Sequence, residues 1–350
     1  KIDFVLMKNN KSIIFQFCTY DEIDSVKKAI AKWVNKRHIL STNSSIINFQ
    51  HKLDDGYSFI LAKKQNTLIG ILGYIPTHLY DLSLKNELQY ATVSWFVDLD
   101  LNLPGLGMLL FRNLLSKKKA KFCFALSISE RAFLMHEALG YKIGWMQQVY
   151  LANHSIKKFK LLQNIPSIKK LVSISNYRLK LLDLENFDEL TKDFIAPKDI
   201  VPTKSAVYFK NRFLMHPIYQ YKVYGIFRKR DLQSLIATRL VKANGAKAMR
   251  LVDFVGDLES LYSIAPDLQE LLIIENAEYM DLYHSGLNPT ALKSGGFLSR
   301  SQTSNTVVPN YFEPFEASNV DLNFAYRFRK SEDKKKVLLF KADGDQDRPN

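Results

Sequence analysis

The sequence predicts an α/β (α+β) protein built from two successive units. Three observations carry that prediction. Apolar strand-like runs alternate with stretches of helical spacing along the chain. One of those strands passes into a helix through a glycine turn, and the order of elements in the first half recurs in the second. At 350 residues the chain is long enough for two domains with a core each. Its 47% hydrophobic and 24% charged content is that of a globular protein. No apolar run reaches bilayer-crossing length and no signal-peptide pattern is present, so a cytoplasmic protein is expected.

In the first half, Ile13-Ile-Phe-Gln-Phe17 reads as a strand. Thr19-Tyr-Asp-Glu22 reads as a helix start in which Glu22 reaches back to the capping Thr19. Ile23, Val26, Ile30 and Val34 follow at helical spacing. A polar turn over residues 41–45 precedes a short helix ending near His51. Gly56-Tyr-Ser-Phe-Ile-Leu-Ala62 and Thr67-Leu-Ile-Gly-Ile-Leu-Gly-Tyr-Ile75 read as strands around a Lys63-Lys-Gln-Asn66 hairpin turn. A loop of mixed polarity over 76–87 leads to a strand from about Leu88, whose apolar end is Val93-Ser-Trp-Phe-Val97.

That strand gives way to Asp98-Leu-Asp-Leu-Asn102-Leu-Pro-Gly105-Leu-Gly107, after which Met108-Leu-Leu-Phe-Arg-Asn-Leu-Leu115 has helical spacing. A helix opened by a glycine turn points free backbone N–H groups outward, and together with the helix dipole they attract an anion. A Cβ in the turn would hold a phosphate off the backbone. Taken alone, Gly-x-Gly fits a plain structural turn equally well. The next strand is read at 121–126, then a helix over 129–139 closed by Gly140-Tyr141, then a last strand of the unit over 145–151.

Strand, Gly-x-Gly, helix, strand and helix ending in Gly-aromatic is the order that resembles the acyl-CoA-binding half of the GNAT superfamily of N-acetyltransferases. The family's loop, Gln/Arg-x-x-Gly-x-Gly/Ala, is matched by Asn102-Leu-Pro-Gly105-Leu-Gly107. Its later segment, Asn-x-x-Ala-x-x-x-Tyr-x-x-x-Gly-Phe, is matched by Ser129-Glu-Arg-Ala132-Phe-Leu-Met-His136-Glu-Ala-Leu-Gly140-Tyr141. Both match without gaps; Asn102, Ser129 and His136 differ in residue type. The resemblance covers about residues 13–151 and implies a mixed, mostly antiparallel sheet flanked by helices. It implies acyl-CoA, most simply acetyl-CoA, as co-substrate. The pyrophosphate would rest on the loop from Asn102 through Leu103, Pro104, Gly105 and Leu106 to Gly107. The pantetheine arm would run along the backbone of Phe96, Val97 and Leu99. Ser129 and Ala132 would border it, with Ser129 also suited to cap its helix. His136 stands where the family often has Tyr, which implies protonation of the leaving thiolate. No general base stands out: His78, Asp81, Glu87, Asp98 and Asp100 lie in the right loops, and each is read first as structural or solvated. Neither a Ser/His/Asp order, a zinc spacing nor a Gly-Lys-Ser/Thr phosphate loop is present to favour another chemistry.

Domain limits are placed at 1–152, a basic linker or interdomain helix at 153–172, a second unit at 173–330 and a C-terminal strand with an acidic tail at 331–350. The second unit opens with a strand from Tyr177, then helices over 183–194 and 206–215. Strands follow at Tyr221–Arg228, 234–242 and 248–255, then a helix over 258–265, a strand at 271–275, a helix over 279–285 and a helix over 288–294 entering Gly295-Gly-Phe297. This repeats the first unit and implies two tandem GNAT-like domains. Where the first has Gly-x-Gly, the second reads Asp253-Phe-Val-Gly256-Asp257-Leu-Glu259, whose acids would repel a pyrophosphate. It is expected to be a degenerate copy that shapes the acceptor pocket or stabilises a homodimer. In the tail Asp343, Asp345 and Asp347 alternate like metal ligands, but the calcium-loop glycine and glutamate are missing, so no metal is assigned and a solvated terminus is expected.

The formal charge of +14 includes lysine clusters at 117–121, 157–160 and 334–336, each read as solvated. A positive field also suits a phosphate-rich cofactor and an anionic acceptor such as a nucleotide sugar. Helix-turn-helix, zinc-finger and aromatic-basic signatures are missing, which disfavours nucleic acid. Cys18 and Cys123 read as isolated buried thiols. The leading expectation is an acyl-CoA-dependent N-acyltransferase acting on a small amine. An amino sugar or nucleotide-linked amino sugar of surface-polysaccharide biosynthesis fits, because similar tails occur in tandem GNAT-like proteins of such gene clusters. The alternatives are a tRNA-dependent aminoacyltransferase of tandem GNAT-like type and a non-catalytic CoA-binding scaffold.

Overall fold

The computed structural model describes residues 13–172, 176–300, 305–329, 335–345 and 347. Lys334 of the third lysine cluster, the domain limits at 173, 330 and 331, and residues 348–350 lie outside them.

Strand β1 (Ile13–Cys18) leads through a single tight turn into α1 (Ile23–Trp33), and the Thr19 N–H donates to Glu22 at 2.9 Å as the capping pattern predicts. The polar stretch at 41–45 is not an open turn. It divides between α2 (Ile39–Thr42) and α3 (Ser44–His51), which meet at Asn43, whose side chain caps α3 by accepting from the Ile46 N–H at 3.1 Å. Then come β2 (Lys52–Leu53), β3 (Gly56–Lys64), β4 (Thr67–Pro76) and β5 (Gln89–Val97), and the predicted hairpin turn is supplied by Gln65 and Asn66 at positive φ. Helix α4 (Leu106–Lys118), β6 (Phe122–Leu126), α5 (Glu130–Ala138) and β7 (Lys142–Trp145) complete this part. The predicted last strand at 145–151 forms as β8 (Gln147–Ala152), with only Met146 between it and β7, but it leaves the first sheet.

Residues 153–170 form no helix; they cross the surface as irregular chain, pinned where buried Glu278 accepts from the N–H groups of Lys160 and Leu161 at 2.6 and 2.8 Å. The second unit runs β9 (Tyr177–Leu182), α6 (Phe187–Thr191), β10 (Ile200–Val201), α7 (Ala206–Phe209) with a wider turn over Lys210–Leu214, β11 (Tyr221–Arg228), β12 (Asp231–Ala243) and β13 (Ala246–Gly256). It continues through α8 (Leu258–Ser263), α9 (Ala265–Ile274), β14 (Tyr279–Ser285), α10 (Pro289–Gly295) and β15 (Leu298–Ser299). Two expectations are exchanged here: the run at 271–275 ends a helix, and 279–285 is a strand. Leu271-Leu-Ile-Ile274 is a continuous apolar run that a buried helix and a strand can both carry. Tyr279–Ser285 hides its period because both faces are covered, burying even Asp281 and His284. The chain ends through β16 (Asn323–Phe328), β17 (Lys336–Val337) and β18 (Leu339–Phe340).

Two sheets result. The first has the order β1-β3-β4-β5-β6-β16-β7 and the second β9-β11-β12-β13-β14-β8-β15, each antiparallel except at β5–β6 and β13–β14. Read side by side, the orders are the same architecture twice, with the sixth strands exchanged. β8, from the end of the first unit, pairs with β14, while β16 returns to fit between β6 and β7. One apolar cluster runs from Val93 and Phe124 of the first sheet to Phe209, Val223 and Tyr283 of the second unit, so the two share a core. Each such fully buried side chain contributes about 1.5–3 kcal/mol. Among the described residues no helix is long and apolar enough to cross a membrane.

Candidate functional site

β5 and β6 are paired only at Gln89–Phe122, Tyr90–Cys123 and Ala91–Phe124; beyond Ala91 the strands part. The departure begins at a bulge, with Ser94 at φ 48° and the β4–β5 register shifting opposite it. The resulting wedge opens along 92–97, a stretch still paired with β4 on its other side. At its mouth Asp98 caps a short turn over Leu99–Leu101, and Asn102 takes a left-handed conformation. Gly105, at φ 83°, then opens α4, a conformation that favours glycine. The Leu106 N–H donates to Leu103 and that of Leu109 to Gly105, leaving the N–H groups of Gly107 and Met108 without an acceptor among the described residues. No acid lies in the first turn, and the lysines of α4, Lys117 and Lys118, are at its far end. The loop acids are occupied: Lys32 donates to Asp98 at 3.0 Å and lies 3.7 Å from Asp100, and that hydrogen bond holds the Asp98 carboxyl below its usual range.

The second glycine has a packing reason as well. A Cβ on Gly107 would stand 3.2 Å from the Trp95 indole nitrogen, which donates to the Gly107 carbonyl at 3.2 Å. Trp95 in turn closes one side of an aromatic box around His136, with Phe111 and Tyr141. His136 is 1% exposed, its Nδ1 lies 2.7 Å from the Ala132 carbonyl, and its Nε2 meets no partner among the described residues. Burial lowers its pKa, which favours the neutral ring with the proton on Nδ1. In that state Nε2 holds a lone pair and has no proton to give.

Ser129 caps α5, accepting from the Ala132 N–H at 3.3 Å. Phe96 packs toward α1–α3 and Val97 and Leu103 toward α4; Leu106 is buried, so only its backbone faces the mouth. Leu99, Asn102, Pro104 and Gly105 are exposed. The structure thus gathers Phe96 to Gly107 along one edge and mouth, with His136 behind Trp95.

The two acids near the acceptor side, Asp81 and Glu87, hold the units together. Asp81 accepts from Ser205, and Glu87 accepts from Lys335 at 3.2 Å. Burial lowers the pKa of half-buried His78. Sequence reasoning missed Asn323, whose side chain clamps Ile128 in front of α5 by accepting at 2.7 Å and donating at 2.9 Å. It also missed the tail. Asp343 and Asp347 are buried, paired with Lys204 and Arg239 at 2.9 and 2.8 Å, which corrects the expected solvated terminus. The tail fills the second unit's counterpart of the wedge: β18 pairs with β14 at His284 and Ser285, and the Ala342 N–H donates to Val252 of β13 at 2.9 Å. Asp253, one of the acids expected to repel a pyrophosphate, pairs with buried Lys204. From there the chain passes under the first sheet, where a Cβ on Gly344 would stand 3.5 Å from the Ala91 side chain.

No family model matches the chain, and no curated protein matches it. Solved structures do. A GCN5-related N-acetyltransferase from Anabaena variabilis is 12% identical with a TM-score of 0.56, covering 90% of this chain and 72% of its own. One from Kribbella flavida is 10% identical with a TM-score of 0.51, covering 91% and 71%. A protein from Enterococcus faecalis described as a probable N-acyltransferase is 6% identical with a TM-score of 0.54, covering 91% and 72%. The fold is that of the GCN5-related N-acetyltransferases, in tandem form.

Proposed function

We propose that the protein is an acyl-CoA-dependent N-acyltransferase whose first sheet holds the cofactor. One observation carries the reading: the unpaired edge of β5 leads through the Leu99–Leu101 turn to Gly105–Gly107, where two helix N–H groups lack acceptors among the described residues. A diphosphate would be held by those groups and the dipole of α4. An acyl-pantetheine arm would pair with the β5 edge, as a strand does. An N–H there can donate to the thioester oxygen as charge grows on it, an effect on the order of 3 kcal/mol for a well-placed donor. The amine nitrogen attacks the carbonyl carbon, the C–S bond breaks, and the proton lost by the amine ends on the CoA thiol. His136 serves this reaction as a positioning residue that packs Trp95 against Gly107, and the thiolate takes its proton from the amine directly or through water. Acetyl is the acyl group proposed, and a small amine the acceptor; a nucleotide-linked amino sugar suits the +14 charge.

Calorimetric titration with acetyl-CoA and CoA tests the reading. Gly107→Glu and Pro104→Glu, the second at an exposed position that leaves the Trp95 contact intact, should each weaken binding at least tenfold without lowering the unfolding midpoint of the Pro104 variant. Wild-type affinity in the Pro104 variant would refute the site.

A further inference from the structure

A second cavity, of about 50 Å³, lies on the other unit, bordered by Tyr219 and Arg239, Arg250 and Asn310, Glu313 and Lys341. It exceeds the roughly 10–15 Å³ that one water needs. Its buried charges do not cancel. Arg239 donates to Asp347 at 2.8 Å, and Tyr221 satisfies the same carboxylate at 2.6 Å. Arg250 forks onto Asp281, which also accepts from Gln148 at 3.0 Å. Each arginine therefore has its own carboxylate. Lys341, 7% exposed, donates to the neutral Asn310 side chain at 2.7 Å and has no carboxylate within ion-pair distance among the described residues. The rim carries the exposed carboxylate of Glu313, and the walls are Tyr219 under Arg239 and Phe312 under Arg250.

An unpaired ammonium in such a place is costly, and burial lowers its pKa to about 7, with Arg250 and Arg239 adding to the fall and Asp347 and Asp281 opposing it. An anion in the cavity would remove that cost. We propose that the cavity is a binding subsite for one carboxylate group of the acceptor substrate, held by Lys341. One surplus cation and an acidic rim suit a monoanion better than a phosphate dianion. The subsite is close to the wedge. Two residues lie between Lys341 and Gly344, the residue beneath Ala91, so their Cα atoms are no more than about 11 Å apart, within the span of one small molecule. The link to an acceptor rests on the acyltransferase reading; anion binding does not.

The test follows the Lys341 side-chain resonance of the full chain, labelled in its lysines, through a pH titration with added acetate or inorganic phosphate and no CoA. Acetate should raise the Lys341 midpoint from near 7 toward the ordinary lysine range, saturably. In Asn310→Asp, a near-isosteric change that supplies the carboxylate internally, the midpoint should be high from the start and acetate should do nothing. CoA affinity should be unchanged in that variant, so failure here is separable from failure of the cofactor site. An unresponsive resonance would overturn the proposal, as would an equal response in Asn310→Asp or an ordinary midpoint without ligand. A response to phosphate alone would overturn the carboxylate assignment.

Discussion

The molecule contains the same wedge twice, once open and once filled. In the first sheet β5 and β6 separate after Ala91, and among the described residues no strand takes the gap. In the second, β13 and β14 are paired only from Met249–Met280 to Leu251–Leu282, and the molecule's own β18 and Ala342 occupy the gap beyond that last pair. The turns above them differ in the same sense. Gly105 opens α4 toward solvent. A Cβ on Gly256 would collide with the Gln233 carbonyl, and Asp257 turns its side chain onto the Glu259 N–H, so the second helix start serves itself. A splayed parallel pair is thus a slot for any extended partner. Whether it is a cofactor cleft or a structural joint depends on what else in the chain can reach it.

The largest effect should come from the base of the filled slot. Lys204 is 3% exposed and lies between Asp253 and Asp343. Lys204→Met leaves two buried carboxylates facing each other without their shared ion-pair partner, which should cost about 3–5 kcal/mol in urea unfolding. CoA affinity at the first wedge should persist in the folded fraction. A variant as stable as the parent would mean that the tail is not locked in place.

Acid should reach the filled slot next. His284, on the strand that pairs with β18, is 1% exposed with both ring nitrogens unpartnered among the described residues, and burial lowers its pKa from 6.5 to about 4. The unfolded chain therefore binds a proton below 6.5 that the folded chain refuses until about 4, so stability falls as pH drops through that window. A difference of that size corresponds to about 3 kcal/mol at its full extent. His284→Leu should flatten the acid limb of unfolding free energy between pH 6.5 and 4 by one proton. An unchanged slope would show that water reaches the ring in the native state.

Much of the first unit was legible because its signals are local. The Thr19–Glu22 cap, the hairpin at Gln65-Asn66 and the helix start at Gly105 each lie within a few residues. The repeat was legible for the same reason, since both units place their elements in the same order. The strand exchange was not. β8 follows β7 after one residue, and nothing in Gln147–Ala152 says which sheet its edges will meet. The tail misled for a related cause. Alternating Asp residues look solvated unless Lys204 and Arg239, more than a hundred residues away, are known to be waiting. His136 is legible as a residue of the helix after β6, but its burial against Trp95, beside the bulge at Ser94, is not announced by the apolar run Val93–Val97.

The smallest effect sharpens the open wedge. Ser129 stands where the resembled family has an Asn near the pantetheine arm, yet its hydroxyl is already engaged as the cap of α5, accepting from Ala132 at 3.3 Å. If capping is its whole role, Ser129→Ala should lower stability by about 1 kcal/mol and leave acetyl-CoA affinity as it was. If the hydroxyl also touches the arm, affinity should fall while Ser129→Thr, which can cap, restores both. The two outcomes separate a residue that shapes the wedge from one that lines it, because a cap acts through the helix whereas a contact acts only when the cofactor is bound.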